Sequence, residues 1–226
     1  MNSRWVKSES ILNNNNNNNS RSDNDQVSSP SPKSGGPLKP RLDAVQKKIQ
    51  VQIARLEELY SALKSKDEDA FRKLVASIKE SNTQYSTVLS ADLARARQVN
   101  RVVFLSRVAL EKLTAKLSSV TDVGGLVIVL SPAMAVVKNL RSLLTPQVPE
   151  MEEELGIISE LLSGILVDAG QVGGYTINFE TANEEAVRLI DEASLVVEQK
   201  MKEEFPGIPD LPTIVPSSSS TTNQHA

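Results

Sequence analysis

Through the middle of the chain, apolar residues return at helical spacing. Leu42, Ile49, Leu56 and Leu63 recur every seven residues, with Val45 and Leu59 between them. This predicts an amphipathic helix with a coiled-coil-like seam over about Arg41 to Lys64. Gln52 falls on that seam, where it either helps set register or points into water at the edge. Ser65, followed by Asp67, Glu68 and Asp69, reads as a cap and an acidic first turn, so a second helix is expected to start there. Its rows are Val75, Leu89, Ala96, Val103, Leu110 and Leu117, and Ile78, Tyr85, Val99, Leu113 and Val120. No glycine or proline interrupts Ser65 to Val120, which predicts a continuous helix of about 50 residues, roughly 75–80 Å long. The short link makes the two an antiparallel hairpin over about 41–120.

Shorter helices are expected over about 123–205. A third runs from beyond Gly124 and Gly125 to about Leu144, with Pro132 at an early-turn or kink position. Pro146 and Pro149 separate it from a fourth, whose first turn carries Glu150, Glu152, Glu153 and Glu154 and whose apolar face is Leu155, Ile158, Leu161, Leu162 and Ile165. Gly170, Gly173 and Gly174 read as a loop, and both glycine clusters as hinges between helices. The fifth helix is expected to begin at Thr181, whose spacing to Glu184 fits a capping box, and to end near Phe205. The fold class is therefore all-α, a long antiparallel helical hairpin followed by shorter helices. Residues 1–40, with asparagine from Asn13 to Asn19, read as a disordered low-complexity tail, and 206–226 as a proline-motif tail. Trp5, Val6, Ile11 and Leu12 would make either a brief membrane-touching helix or more disorder.

Charge changes this picture more than composition does. Residues 1–120 hold 20 Lys and Arg against 12 Asp and Glu, a net of +8; residues 121–226 hold 5 against 16, a net of −11. One reading is a basic surface that an acidic segment covers in cis; the other is two solvated faces of unequal sign. Aromatics are 4% of the chain, which suits helix seams and leaves little for stacking nucleobases, so no nucleic-acid partner is expected. Arg4 and Lys7 lead into asparagines instead of an apolar stretch, so no signal peptide is expected and the protein is placed inside the cell. The apolar run from Val123 to Val137 is broken by glycine, Ser131 and Pro132 and falls short of the ~20 residues of a membrane span. It reads as a buried helix.

Candidate chemistry is sparse. The chain has no cysteine, and its one histidine, His225, lies next to the C-terminus, so neither a nucleophile–histidine arrangement nor a His/Cys metal site can be assembled. The glycine clusters lack the spacing and the Lys-Ser/Thr of phosphate loops. No enzymatic activity, cofactor or metal is expected.

Two binding signals stand out. Arg41, Lys48 and Arg55 are seven apart beside the leucine row, with Lys47 nearby; they would face anionic lipid or an acidic neighbouring subunit, or lie along the seam edge of an ordinary hairpin. Pro206, Pro209, Pro212 and Pro216, interleaved with Ile208, Leu211, Ile214 and Val215, make either an extended groove-binding motif or a proline-rich linker.

The segments "SPAMAVVKNLRS", "ELLSGILVDAGQ", "INFETANEEA" and "VVEQKMKEEFPGIP", in this order within Arg41 to Pro216, resemble the archaeal cell-division ESCRT-III-like proteins of the CdvB type. The resemblance implies a subunit that polymerises with itself and with paralogous subunits on the inner face of the cell membrane at the division site. It also implies constriction of the division neck and remodelling by a AAA+ ATPase, which does the hydrolysis. In that family the proline motif docks on the MIT domain of the ATPase; carried over, it falls on Pro206, Ile208, Pro209, Leu211 and Pro212. The chain stops soon after this motif, which leaves no room for the winged-helix-like segment that recruits some members, so recruitment by that route is not expected. A coiled-coil adaptor without filament or membrane activity is the alternative.

Overall fold

A computed structural model describes residues 37–174 and 178–210; the low-complexity stretch before them, and Leu211 and Pro212 after them, lie outside the described residues. Five helices follow one another: α1 (Leu38–Lys79), α2 (Thr83–Ser118), α3 (Val123–Leu144), α4 (Met151–Gly173) and α5 (Phe179–Glu204). The expected all-α order of a long antiparallel hairpin and then shorter helices is what the chain adopts.

The hairpin turns later than its sequence suggests. α1 does not stop at Lys64 but runs for 42 residues, and α2 for 36, about 63 Å and 54 Å. One buried face, Leu42, Val45, Ile49, Gln52, Leu56, Tyr60, Asp67, Leu74 and Ser77, passes straight through Ser65. The acidic run after Ser65 lies inside α1, with Asp67 buried and Glu68 and Asp69 exposed. The reversal is made at Ser81, in the left-handed region at φ 57°, and at Asn82, whose side chain accepts from the Tyr85 N–H at 3.2 Å. Arms of similar length cover one another along the seam, whereas a turn at Ser65 would leave half of a 50-residue helix without a partner. Gln52 is buried, not turned toward water, and its Oε1 has no hydrogen-bond partner.

Three other boundaries differ from the expectation. α1 starts at Leu38, so Pro40 sits in its first turn, where an N–H would be unpaired anyway. α5 starts ahead of Thr181: Asn178 is the cap, accepting from the Glu180 and Thr181 N–H groups at 3.0 and 3.3 Å. Gly124 and Gly125 open α3 and Gly170 and Gly173 continue α4, so the loop role falls to Gly174 alone, at φ 63°. Pro132 lies inside α3, past its first turn, and is buried.

α3 packs on α2 and α4, α4 on α1, and α5 on α2 and α3. α3 and α4 are long and apolar enough to cross a bilayer, yet each sets a face into the shared core, through Leu130, Val136, Leu140 and Leu144 and through Leu155, Ile158, Leu162 and Ile165.

Candidate interaction surface

The cationic stripe on α1 meets the acidic fourth helix. Arg41 pairs with Asp168, and Lys48 and Arg55 share Glu154 at 3.9 and 4.0 Å. Gly164, one turn before Asp168, lies beside the first pair: a Cβ there would stand 3.0 Å from the mobile end of the Arg41 side chain. Lys47 lies off this line and is exposed. The same line of α1 continues to Lys66 and Lys73, exposed and without an ion pair among the described residues.

The acidic fifth helix lies along the hairpin farther out. Lys112 pairs with Glu192 at 3.1 Å, Arg101 with Glu198, and Lys64 with Glu204 at 3.2 Å. The apolar seam beneath differs from that of α4. α5 buries Ala182, Ala186, Leu189, Ala193 and Val197, whereas α4 buries mostly leucine and isoleucine. Burial stabilises in proportion to apolar area, about 25 cal/mol per Å², so an alanine-rich seam holds its helix less firmly.

Glu204 fastens its end. The carboxylate accepts from the Tyr60 hydroxyl at 2.7 Å and also meets Lys200 Nζ at 2.9 Å. Burial on its own would raise this carboxyl; hydrogen bonds from Tyr60, Lys200 and Lys64 together outweigh burial and hold it at about 2. Burial first, and then the same carboxylate, push the Tyr60 hydroxyl well above the ordinary tyrosine range. Because the Glu204 value in the folded chain lies below that of a free glutamate, about 4.3, its contribution is complete above that pH and is lost as pH falls toward 2. Protection factors of the last α5 amides should therefore hold from neutral to mildly acidic pH and drop only below about 4.3. Glu204→Gln should remove that step; a step of equal size in the variant would contradict this account.

Just beyond, Arg97 gathers several contacts. Its guanidinium donates to both carboxylate oxygens of Asp67, at 2.9 and 3.2 Å, and to the Pro206 carbonyl at 2.6 Å. It also lies 5.6 Å from the ring centres of both Phe71 and Phe205. The Asp67 side chain is 2% exposed and that of Arg97 13%, which makes this the most buried ion pair among the described residues. Spacing along the sequence does not mark Arg97, and Asp67 reads there only as part of a helix start. Of the tail positions, Pro206 is exposed, while Ile208 and Pro209 are half-buried.

No family model matches the chain, and no solved structure matches it. It is similar to Cell division protein B1 of Sulfolobus acidocaldarius, with 32% identity over 178 residues that cover 79% of this chain and 83% of that protein. It is also similar to Cell division protein B of the same organism, with 27% identity over 169 residues, 75% of this chain and 65% of that protein.

Proposed function

The chain belongs to the CdvB-type cell-division proteins, and from that premise we propose that it is a non-catalytic ESCRT-III-like filament subunit, held closed by its own acidic helices. Released, it polymerises with itself and with paralogous subunits on the anionic inner face of the cell membrane, and drives constriction and scission in cell division. A AAA+ ATPase remodels the filament through an MIT domain that takes Pro206, Ile208, Pro209, Leu211 and Pro212.

The observation that carries this reading is where the acidic helices lie. Carboxylates of α4 occupy Arg41, Lys48 and Arg55, and carboxylates of α5 occupy Lys64, Arg101 and Lys112. A solvated pair of unlike faces would not need to meet; a switch would. Exposed ion pairs contribute only about 0–1 kcal/mol each, so such a cover yields to a stronger source of negative charge. Anionic lipid is such a source, at about 1 kcal/mol per cation near the surface.

Deleting residues 174–226 removes α5 and the tail while leaving α4. The truncated chain should form sedimentable polymers and pellet with anionic vesicles at low salt, where the full chain stays largely in the supernatant. A truncated chain that remains monomeric contradicts the closed-switch reading. Discrete dimers that never pellet with vesicles would favour the adaptor.

A further inference from the structure

The contacts of Arg97 form a seat for the start of the tail. Asp67 and Arg97 belong to the two arms of the hairpin, 30 residues apart, and their pairing fixes the guanidinium plane from within the hairpin itself. Phe71 covers one part of that plane. Phe205 lies against the guanidinium as well, and the Nη1 end, which Asp67 does not use, donates to the Pro206 carbonyl. Both ligands come from the junction between α5 and the proline motif, and Phe205 is 8% exposed there. The next residues stay close to the protein, with Ile208 and Pro209 half-buried.

We infer that Asp67, Phe71 and Arg97 are an internal receptor for Phe205–Pro206, and that this receptor competes with the tail's docking partner for the same segment. The inference rests on the reading of the tail as an MIT-domain ligand. An extended segment offers its side chains and carbonyls to whichever surface it lies on. With Pro206 bonded to the hairpin and Ile208 and Pro209 partly covered, the first half of the motif cannot enter a partner's groove until the seat is vacated. Linkage then runs both ways: a partner that takes the tail loosens the end of α5, and release of α5 raises the affinity of the tail by the same factor.

The test compares the full chain with a synthetic peptide of residues 203–216, both titrated with the MIT domain of the cognate AAA+ ATPase. The full chain should bind about tenfold more weakly than the peptide, within the usual range of coupling between sites. Phe205→Ala leaves the Asp67–Arg97 pair intact and lies outside the five docking positions. In the full chain it should bring the affinity to the peptide's value, and in the peptide it should change nothing. Arg97→Lys, which keeps the charge opposite Asp67 but loses the planar fork, should shift the full chain the same way. Equal affinities for the full chain and the peptide, or no shift in Phe205→Ala, would overturn the inference. A peptide that does not bind removes the docking role and the competition with it. The seat itself then stands or falls on hydrogen exchange: amides from Met201 to Phe205 must exchange faster in Phe205→Ala than in the parent, and unchanged exchange refutes it.

Discussion

Asp67→Ala should lower the stability of the chain by about 3–5 kcal/mol, the size expected when one partner of a buried ion pair is removed and the other stays buried. Asp67 is 2% exposed and supplies both oxygens to Arg97. Its loss leaves a guanidinium facing two phenylalanine rings with no counter-ion. Urea denaturation followed by circular dichroism measures the change. Asp67→Leu combined with Arg97→Met should recover most of it, because no unpaired charge remains and apolar groups of similar volume fill the space. A loss within about 1 kcal/mol for Asp67→Ala alone would mean that the pair behaves like an exposed one.

The second large effect concerns lipid. Glu154→Gln with Asp168→Asn removes the carboxylates that face Arg41, Lys48 and Arg55 without altering the buried face of α4. Each freed cation near an anionic surface contributes up to about 1 kcal/mol, so three together should raise binding to phosphatidylserine-containing vesicles by ten- to about a hundredfold. The gain should shrink steeply with salt, as the Debye length falls below about 10 Å above 0.1 M. Lys47→Gln, off the stripe, should change binding by no more than one ordinary charge. Vesicles that bind the parent and the double variant equally would show that α4 is not the counter-ion of the stripe.

Much of the fold is readable along the sequence because its signals are local. Leu42, Val45, Ile49 and Leu56 repeat at the seam period and all are buried. The position of the turn is not local in this sense. Ser65 with its acidic followers and Ser81 with Asn82 are both acceptable polar breaks; what separates them is the matching of two arms, which no short window contains. That one displacement also hid the receptor. With a turn at Ser65, Asp67 and Arg97 would lie on a single helix, far beyond the three- or four-residue spacing at which helical side chains meet. With the turn at Ser81 they face each other. The cap of α5 lies at Asn178 and not at Thr181 for a smaller reason: both residues belong to the capping set, and the spacing of Thr181 to Glu184 imitates a capping box inside the helix. The stripe was readable as chemistry, but its partners were not, since Glu154 satisfies a helix start equally well and its contact with α1 is made only in the folded chain.

The spans that these contacts close bear on how the chain first acquires its shape. Asp67 and Arg97 are 30 residues apart, whereas Arg97 to Pro206 spans 109 and Tyr60 to Glu204 spans 144. Shorter loops close sooner, and a chain leaving the ribosome presents its N-terminal half first. The basic hairpin can thus fold before its acidic covers have been synthesised. During synthesis the positive charge of the hairpin is therefore exposed before the carboxylates that pair with it in the folded chain have been made.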